Sequence, residues 1–285
     1  MPRPLALVGA HVSSAGGLKR CAPYAATIGA EVVQVFLSSP RGWAVPPDDP
    51  AADESFAAGC GVPVFVHAPY LINFGSPSQA TLDRSRAALT YALRRGRAIG
   101  ARGVVVHAGS AVLGNSWADG MRQVREHLLP VLDAEPHGPR ILVEPMASGA
   151  SLASDAASLG GYLDVLGRDE RIGVCLDTCH MHAAGHDLST PESFAAALRA
   201  FGRVAGRGAI GLIHVNDSRD PAGSTRDRHE AVGLGTIGRA AFAALFTTPT
   251  SRRVPMVVET NDAGHAADIA TLKSLRADIS PERVP

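Results

Sequence analysis

The chain has 285 residues, of which 46% are hydrophobic and 19% charged, and its formal net charge is +0. That length can bury a sizeable core, and the balance excludes an intrinsically disordered chain. Zero net charge argues against binding nucleic acid through a globally basic surface, so any attraction for phosphate must come from local patches or bound cations.

Eight short runs rich in β-branched and apolar residues recur in chain order: Leu5–Ala10, Val32–Leu37, Val64–His67, Val104–His107, Ile141–Glu144, Val174–Asp177, Ile210–His214 and Val254–Glu259. Continuous apolar runs suit parallel strands covered on both faces. Between them lie Ala- and Leu-rich amphipathic stretches at Ser78–Ile99, Trp117–Leu132, Ser151–Leu166, Pro191–Val204 and Arg239–Phe246. Thr190 is placed to cap the fourth of these, with Pro191 at its first helical position. Strand and helix alternating eight times predict an α/β fold, a (β/α)8 TIM barrel, as one domain over residues 1–285. Val45–Asp53 reads as a loop after the second strand, and Asp278–Pro285 as a loose tail. No apolar run approaches the ~20 residues that cross a bilayer. Met1–Val12 lacks the layout of a cleaved signal, so a cytoplasmic protein without membrane association is expected. Cys21, Cys60, Cys175 and Cys179 follow no framework spacing and read as reduced thiols, Cys175 and Cys179 as packed small residues of a strand and its end.

The residues that end the strands carry the chemistry. Strands three to eight close on His67, His107, Glu144, Asp177, His214 and Glu259. Barrel enzymes collect their reactive groups at the C-terminal ends of strands, so these six converge on one mouth. A lone His or acid there is more often a structural residue or a helix cap. Six together are costly to bury without cations. His180 follows Asp177 by three residues, and Asp227 and His229 form an Asp-x-His pair in a polar loop, where alternate side chains of an extended segment point the same way. Imidazole and carboxylate ligands suit zinc, with manganese or iron as substitutes, and nine ligands suit three ions. Such ions serve phosphodiester hydrolysis, and they make the mouth of a neutral protein positive. Arg41, Arg219, Arg226 and Arg228 are expected to add to that attraction for phosphate.

With GAHVSSAGGL (9–18), HAPYLINFGS (67–76), VVVHAGS (104–110), CLDTCHMHAAGHDL (175–188), HVNDSRD (214–220), STRDRHEAVGLGTIG (224–238) and VVET (257–260), the chain resembles the endonuclease IV family of apurinic/apyrimidinic endonucleases over nearly its whole length. The resemblance implies zinc-dependent cutting of double-stranded DNA 5′ to an abasic site in base excision repair, leaving a 3′-hydroxyl, with trimming of blocked 3′ ends. It implies one ion on His67, His107 and Glu144, a second on Asp177, His214 and Glu259 sharing Glu144, and a third on His180, Asp227 and His229. Glu144 is the catalytic residue so implied. Arg41, Tyr70 and Leu71 match residues that enter the DNA, and family precedent implies a monomer. The chain departs from the family pattern at Pro145-Met146, in the 147–154 segment, at Leu234 and at Ser38-Ser39. These positions flank the ligands and bear on rate or metal preference. His11 is balanced between orienting a ligand and a structural role. His182 and His186 read as loop residues, and His127, His137 and His265 as surface positions.

Two rival readings stand beside this one. A single-metal sugar-phosphate isomerase or epimerase of a related barrel group would use Glu144, Asp177, His214 and Glu259, leaving His67, His107, His180, Asp227 and His229 without a role. A DNA-lesion binder without hydrolysis would have no need of nine ligands.

Overall fold

A computed structural model describes residues 5–112, 114–147 and 150–279. Eight parallel strands close into a barrel in the circular order β1, β10, β7, β6, β5, β4, β3, β2. They are β1 (Val8–His11), β2 (Val33–Phe36), β3 (Val64–His67), β4 (Gly103–His107), β5 (Arg140–Glu144), β6 (Ile172–Asp177), β7 (Ile210–His214) and β10 (Met256–Val258). The short antiparallel pair β8 (Asp217–Ser218) and β9 (His229–Glu230) lies in the excursion after β7.

The longer covering helices are α2 (Pro50–Gly59), α3 (Gln79–Ala98), α4 (Trp117–Ala134), α5 (Ala156–Val165), α7 (Pro191–Ala205) and α9 (His265–Asp278), with the shorter α1 (Cys21–Thr27), α6 (Thr178–Ala183) and α8 (Ala244–Thr247) at the ends of the barrel strands' connections. Side-chain oxygens fix several starts. Ser78, Ser116 and Thr190 accept from the backbone N–H three residues on, and Pro191 occupies the first turn of α7 as expected.

The interior of the barrel is layered. Val32, Phe65, Val105, Leu142, Cys175, Leu212 and Val257 form a separate apolar cluster inside it. Two residues further along the same segments stand Gln34, His67, His107, Glu144, Asp177, His214 and Glu259. Side chains repeat every two residues in a strand, so the apolar plug dictates that these seven also face inward, one layer nearer the C-terminal mouth. In β1 the corresponding residues are Gly9 and His11. A Cβ on Gly9 would lie 1.6 Å from the Val32 carbonyl oxygen, so only glycine fits where β1 approaches the neighbouring chain.

Several boundaries differ from the sequence expectation. β1 begins at Val8 rather than Leu5, and the last barrel strand spans Met256–Val258 with Glu259 just beyond it. The helix expected from Ser151 starts at Ala156, because Asp155 caps it reciprocally with Ser158. Arg239–Phe246 reduces to a 3-10 turn (Ala241–Ala243) and the four-residue α8. The segment expected to be a loop to Asp53 turns helical at Pro50, since Asp49 accepts from Ala52 N–H and starts α2. Asp278 ends α9 rather than opening a tail, and residues 280–285 of that expected tail lie outside the described residues.

Asp53, read as loop, is only 3% exposed. Its carboxylate takes a bidentate pair from Arg95 of α3, with Nε 2.9 Å from Oδ2, while Arg95 Nη1 donates to the Tyr91 hydroxyl at 2.8 Å. A charge left alone at that depth is expensive, so Arg95→Ala is expected to destabilise the chain by about 3–5 kcal/mol in urea unfolding. A change below about 1 kcal/mol would mean that the pair does not hold α2 to α3.

Candidate metal centre

The polar layer brings together the side chains that end the strands. Glu144 lies at its middle and is 1% exposed. His67 Nε2 is 3.3 Å and His107 Nε2 3.6 Å from Glu144 Oε2, while His180 Nδ1 at 3.2 Å and His214 Nδ1 at 3.1 Å approach Oε1. His214 Nδ1 also lies 3.2 Å from Glu259 Oε2 and 3.9 Å from Asp177 Oδ2. On the outer side, Asp227 bridges His180 Nε2 (3.2 Å) and His229 Nε2 (3.0 Å).

Local structure aims each group. His67 Nδ1 bonds the Ala68 carbonyl at 2.7 Å, which turns Nε2 toward Glu144. Asp177 is the N-cap of α6 and accepts from the His180 N–H at 2.8 Å, so His180 belongs to a short helix rather than to the turn into a loop. The Pro145 carbonyl lies 3.1 Å from His180 Nδ1. Proline lacks an N–H but keeps this acceptor, so the departure at Pro145 leaves that contact possible. Asp227 and His229 ride on the excursion between β7 and β10, and Asp217 anchors its return. Asp217 accepts from the N–H groups of Ser218, Gly233, Gly235, Ile237 and Gly238 at 2.8–3.2 Å.

Three of these groupings could hold a cation, each offering ligand atoms within 4.8 Å of one another: His67, Glu144 and His214; Glu144, Asp177, His214 and Glu259; and His180, Asp227 and His229. His107 stands just outside them, beside Glu144. A fourth group joins Asp177 and His229 to Cys179. Burial, with the Asp177 carboxylate, pushes the Cys179 thiol up to about 12, and Cys175 lies in the apolar plug as a packed small residue. Glu144 Oε2 and His229 Nε2 are buried without a partner in hydrogen-bonding geometry, despite the nearby charges. Orphaned polar atoms at the centre of a His and carboxylate cluster fit a divalent cation.

The electrostatics agree. Burial would lift the Glu144 carboxyl, but the charges of His214 and His107 and hydrogen bonds from His180 and His214 hold it well below the usual carboxylate range. Burial lowers His107 to about 4. For His214 and His180 burial is outweighed, by Cys175, Glu259 and Glu144 in the first case and by Asp177, Asp227 and Glu144 in the second, so both are raised well above 6.5. His229 opposes its own burial through Asp227, Asp177 and Glu259 and is raised to about 9. Raised His180, His214 and His229 thus face the carboxylates of Glu144, Asp227 and Glu259, while His107 is held in the neutral form.

Tyr70 and Leu71 form part of the rim, 40% and 36% exposed. The Tyr70 ring stacks on His107 at 5.3 Å and meets His67 edge-on at 5.1 Å, and its N–H donates to the Pro40 carbonyl beside Arg41. Arg41 is exposed and has no ion-pair partner among the described residues. The other three arginines expected to attract phosphate are engaged. Arg228 and Arg226 pair with Asp220 and Arg219 pairs with Glu230, because the excursion carries its own acids. Leu234 projects into solvent, 78% exposed.

Two residues at the centre escaped the sequence reading. Gln34 lies 3.0 Å from both His214 Nε2 and Glu259 Oε1, and Asn216 donates to Asp177 Oδ2 at 2.7 Å while accepting the Glu259 N–H. A lone amide inside the apolar run Val33–Phe36 was the available signal for Gln34. His11 Nδ1 lies 3.2 Å from Glu259 Oε1. Other histidines depart from expectation. His182 is a buried helical residue, accepting from Leu188 N–H and contacting Thr236 Oγ1. His265 is wholly buried, bonded to the Thr260 carbonyl and Tyr24, and His127 is half-buried. His186 is in a loop and His137 is exposed, as expected.

Residues 22–277 match the family described as the xylose isomerase-like TIM barrel. A Streptomyces coelicolor protein named probable endonuclease 4 is 50% identical over 278 residues, covering 94% of this chain and 95% of its own. The crystal structure of endonuclease IV from Thermus thermophilus aligns with a TM-score of 0.84 and 29% identity over 95% of this chain and 99% of its own. An L-ribulose 3-epimerase structure covers 98% of this chain and 100% of its own at a TM-score of 0.68 and 20% identity, a likeness of fold alone. The chain therefore belongs to the endonuclease IV family within the xylose isomerase-like TIM barrels.

Proposed function

We propose that the chain is a zinc-dependent apurinic/apyrimidinic endonuclease that hydrolyses the phosphodiester 5′ to an abasic site, leaves a 3′-hydroxyl and trims blocked 3′ ends in base excision repair. It would act as a single barrel domain, monomeric and cytoplasmic. The observation that carries the reading is the convergence of the nine histidines and acids at one mouth around the buried Glu144 carboxylate. His67, His107 and Glu144 would hold one ion, Asp177, His214 and Glu259 with Glu144 a second, and His180, Asp227 and His229 a third; manganese could substitute. When bound, such ions polarise a phosphodiester and lower the pKa of water.

The protein's own groups would supply the rest. Glu144 would be shared by two of these sites, which would make it the residue on which hydrolysis depends. Arg41 offers an unpaired guanidinium to backbone phosphate. Tyr70, backed by His107 and His67, and Leu71 present apolar surface to the gap left by a missing base. Opening the duplex costs least there, so the lesion is selected without reading base edges. No helix among the described residues is long and apolar enough to cross a membrane.

A single-metal isomerase remains the specific rival, because Glu144, Asp177, His214 and Glu259 form one of the observed groups. It gives no task to the outer group of His180, Asp227 and His229, nor to an aromatic rim.

Incision of a labelled duplex bearing one abasic-site analogue, with metal analysis of the purified chain, separates them. Cleavage 5′ to the lesion, loss of cleavage with chelator and about three ions per chain are expected. One ion and no cleavage would favour the isomerase. Glu144→Ala is expected to abolish incision and lower metal content. Tyr70→Ala should leave the metal in place and weaken lesion binding by about 1–3 kcal/mol, the usual worth of one aromatic stacking contact.

Metal binding must also displace protons. In the metal-free chain His229 remains protonated to about 9, with His180 and His214 raised in the same direction. Because only the neutral ring is a ligand, affinity is expected to rise as pH increases toward about 9 and to fall steeply on acidification. Competition with a chelator of known proton affinity across that range reads the slope. A flat profile would show that these histidines do not bind the ion.

A further inference from the structure

Gln34 on β2 is wholly buried in the layer of the proposed ligands. An amide at that depth needs partners at both ends. Its Nε2 lies 2.9 Å from His11 Nδ1 and 3.0 Å from Glu259 Oε1, and its Oε1 lies 3.0 Å from His214 Nε2. The chemistry of the neighbours sets the orientation. An ionised Glu259 can only accept, so the amide NH2 must face it and the carbonyl is left for His214. That carbonyl also only accepts, so His214 Nε2 carries hydrogen. The nitrogen turned to the carboxylates is then Nδ1, 3.1 Å from Glu144 Oε1 and 3.2 Å from Glu259 Oε2.

Resting on the metal-centre reading, we infer that Gln34 is a positioning residue for one ion: it holds His214 with Nδ1 free to bind metal and pins the Glu259 carboxylate beside it. The ion concerned is the one shared by Glu144, Asp177, His214 and Glu259. Gln34 binds no metal itself. It reads two ligands at once, one through each end of its amide, and thereby links β2, which supplies no ligand, to β7 and the end of β10. His11 completes the arrangement from β1, with Nδ1 facing both Gln34 and Glu259. Groups that orient metal ligands in this way change affinity by roughly 10–100-fold when removed.

The full-length protein can be titrated with zinc against a chromophoric chelator. Gln34→Met keeps the volume but cannot hydrogen-bond. One of the bound ions is expected to weaken by roughly 10–100-fold while the others keep wild-type affinity. Gln34→Glu retains an acceptor opposite His214 and should bind that ion more tightly than Gln34→Met. In the cobalt-substituted protein, the absorption of one site alone should shift in Gln34→Met. Gln34→Asn, which withdraws the amide by a methylene, should reproduce the single-site loss and serves if the Met variant fails to fold. Unchanged affinity for every ion, or equal weakening of all of them as a general loosening of the mouth would give, overturns the positioning role. A wild-type chain that takes up no zinc overturns the metal centre itself, and the role of Gln34 with it.

Discussion

Side chains of a strand alternate between two faces, and in a closed barrel one of those faces has nowhere to go but inward. The mouth of this molecule depends on that constraint. Val32, Phe65, Val105, Leu142, Cys175, Leu212 and Val257 fill the interior with apolar volume. Each is followed two residues later by a polar group, so the same periodicity that builds the plug lays a ring of amide, imidazole and carboxylate on top of it. The plug closes the barrel below the ring. The ring therefore sits in a low-dielectric cup open on one side, where charges act strongly on one another and unpaired ones are expensive.

That layering also explains what was legible in the sequence. Six strand ends were readable because His and carboxylate are conspicuous after apolar runs, and their common position follows from the fold. Gln34 and His11 belong to the same layer by the same two-residue rule. Gln34 passed unnoticed because an amide within Val33–Phe36 does not look like part of a metal centre, and His11, one residue past the expected end of the first strand, stood balanced between two roles. Applying the repeat to all eight strands, rather than to the residues that end them, places both in this layer. Asn216 and Asp217 were beyond such a rule. Their work is to bond backbone and carboxylates brought together only by tertiary structure, and nothing in their spacing announces a carboxylate accepting five N–H groups.

Three of the errors in secondary structure share a cause. Boundaries failed where a side-chain cap, rather than apolar periodicity, sets the start. Asp155 delays α5, Asp49 starts α2 inside what reads as a Pro- and Asp-rich loop, and Asp177 turns the strand end into α6. Short polar residues favour both caps and loops, so composition alone does not separate the two. His182 and His265 were misplaced for a related reason. Histidine is ordinary at a surface, but each of these has two polar partners that make burial tolerable.

Charge completes the picture. Zero net charge is a poor start for a protein that binds DNA, and the excursion after β7 does not mend it: its arginines are held by Asp220 and Glu230. Those pairs serve geometry, since they brace the segment carrying Asp227 and His229. Positive potential must then come from elsewhere, and on the proposed reading it comes from cations within the mouth and from Arg41 on its rim. The cluster is suited to that exchange. Without cations, protons on His180, His214 and His229 offset the buried carboxylates. With them, on the proposed reading, protons would give way to a larger charge concentrated where phosphate would arrive. On that reading the attraction for DNA would be strongest at the mouth, where hydrolysis would occur.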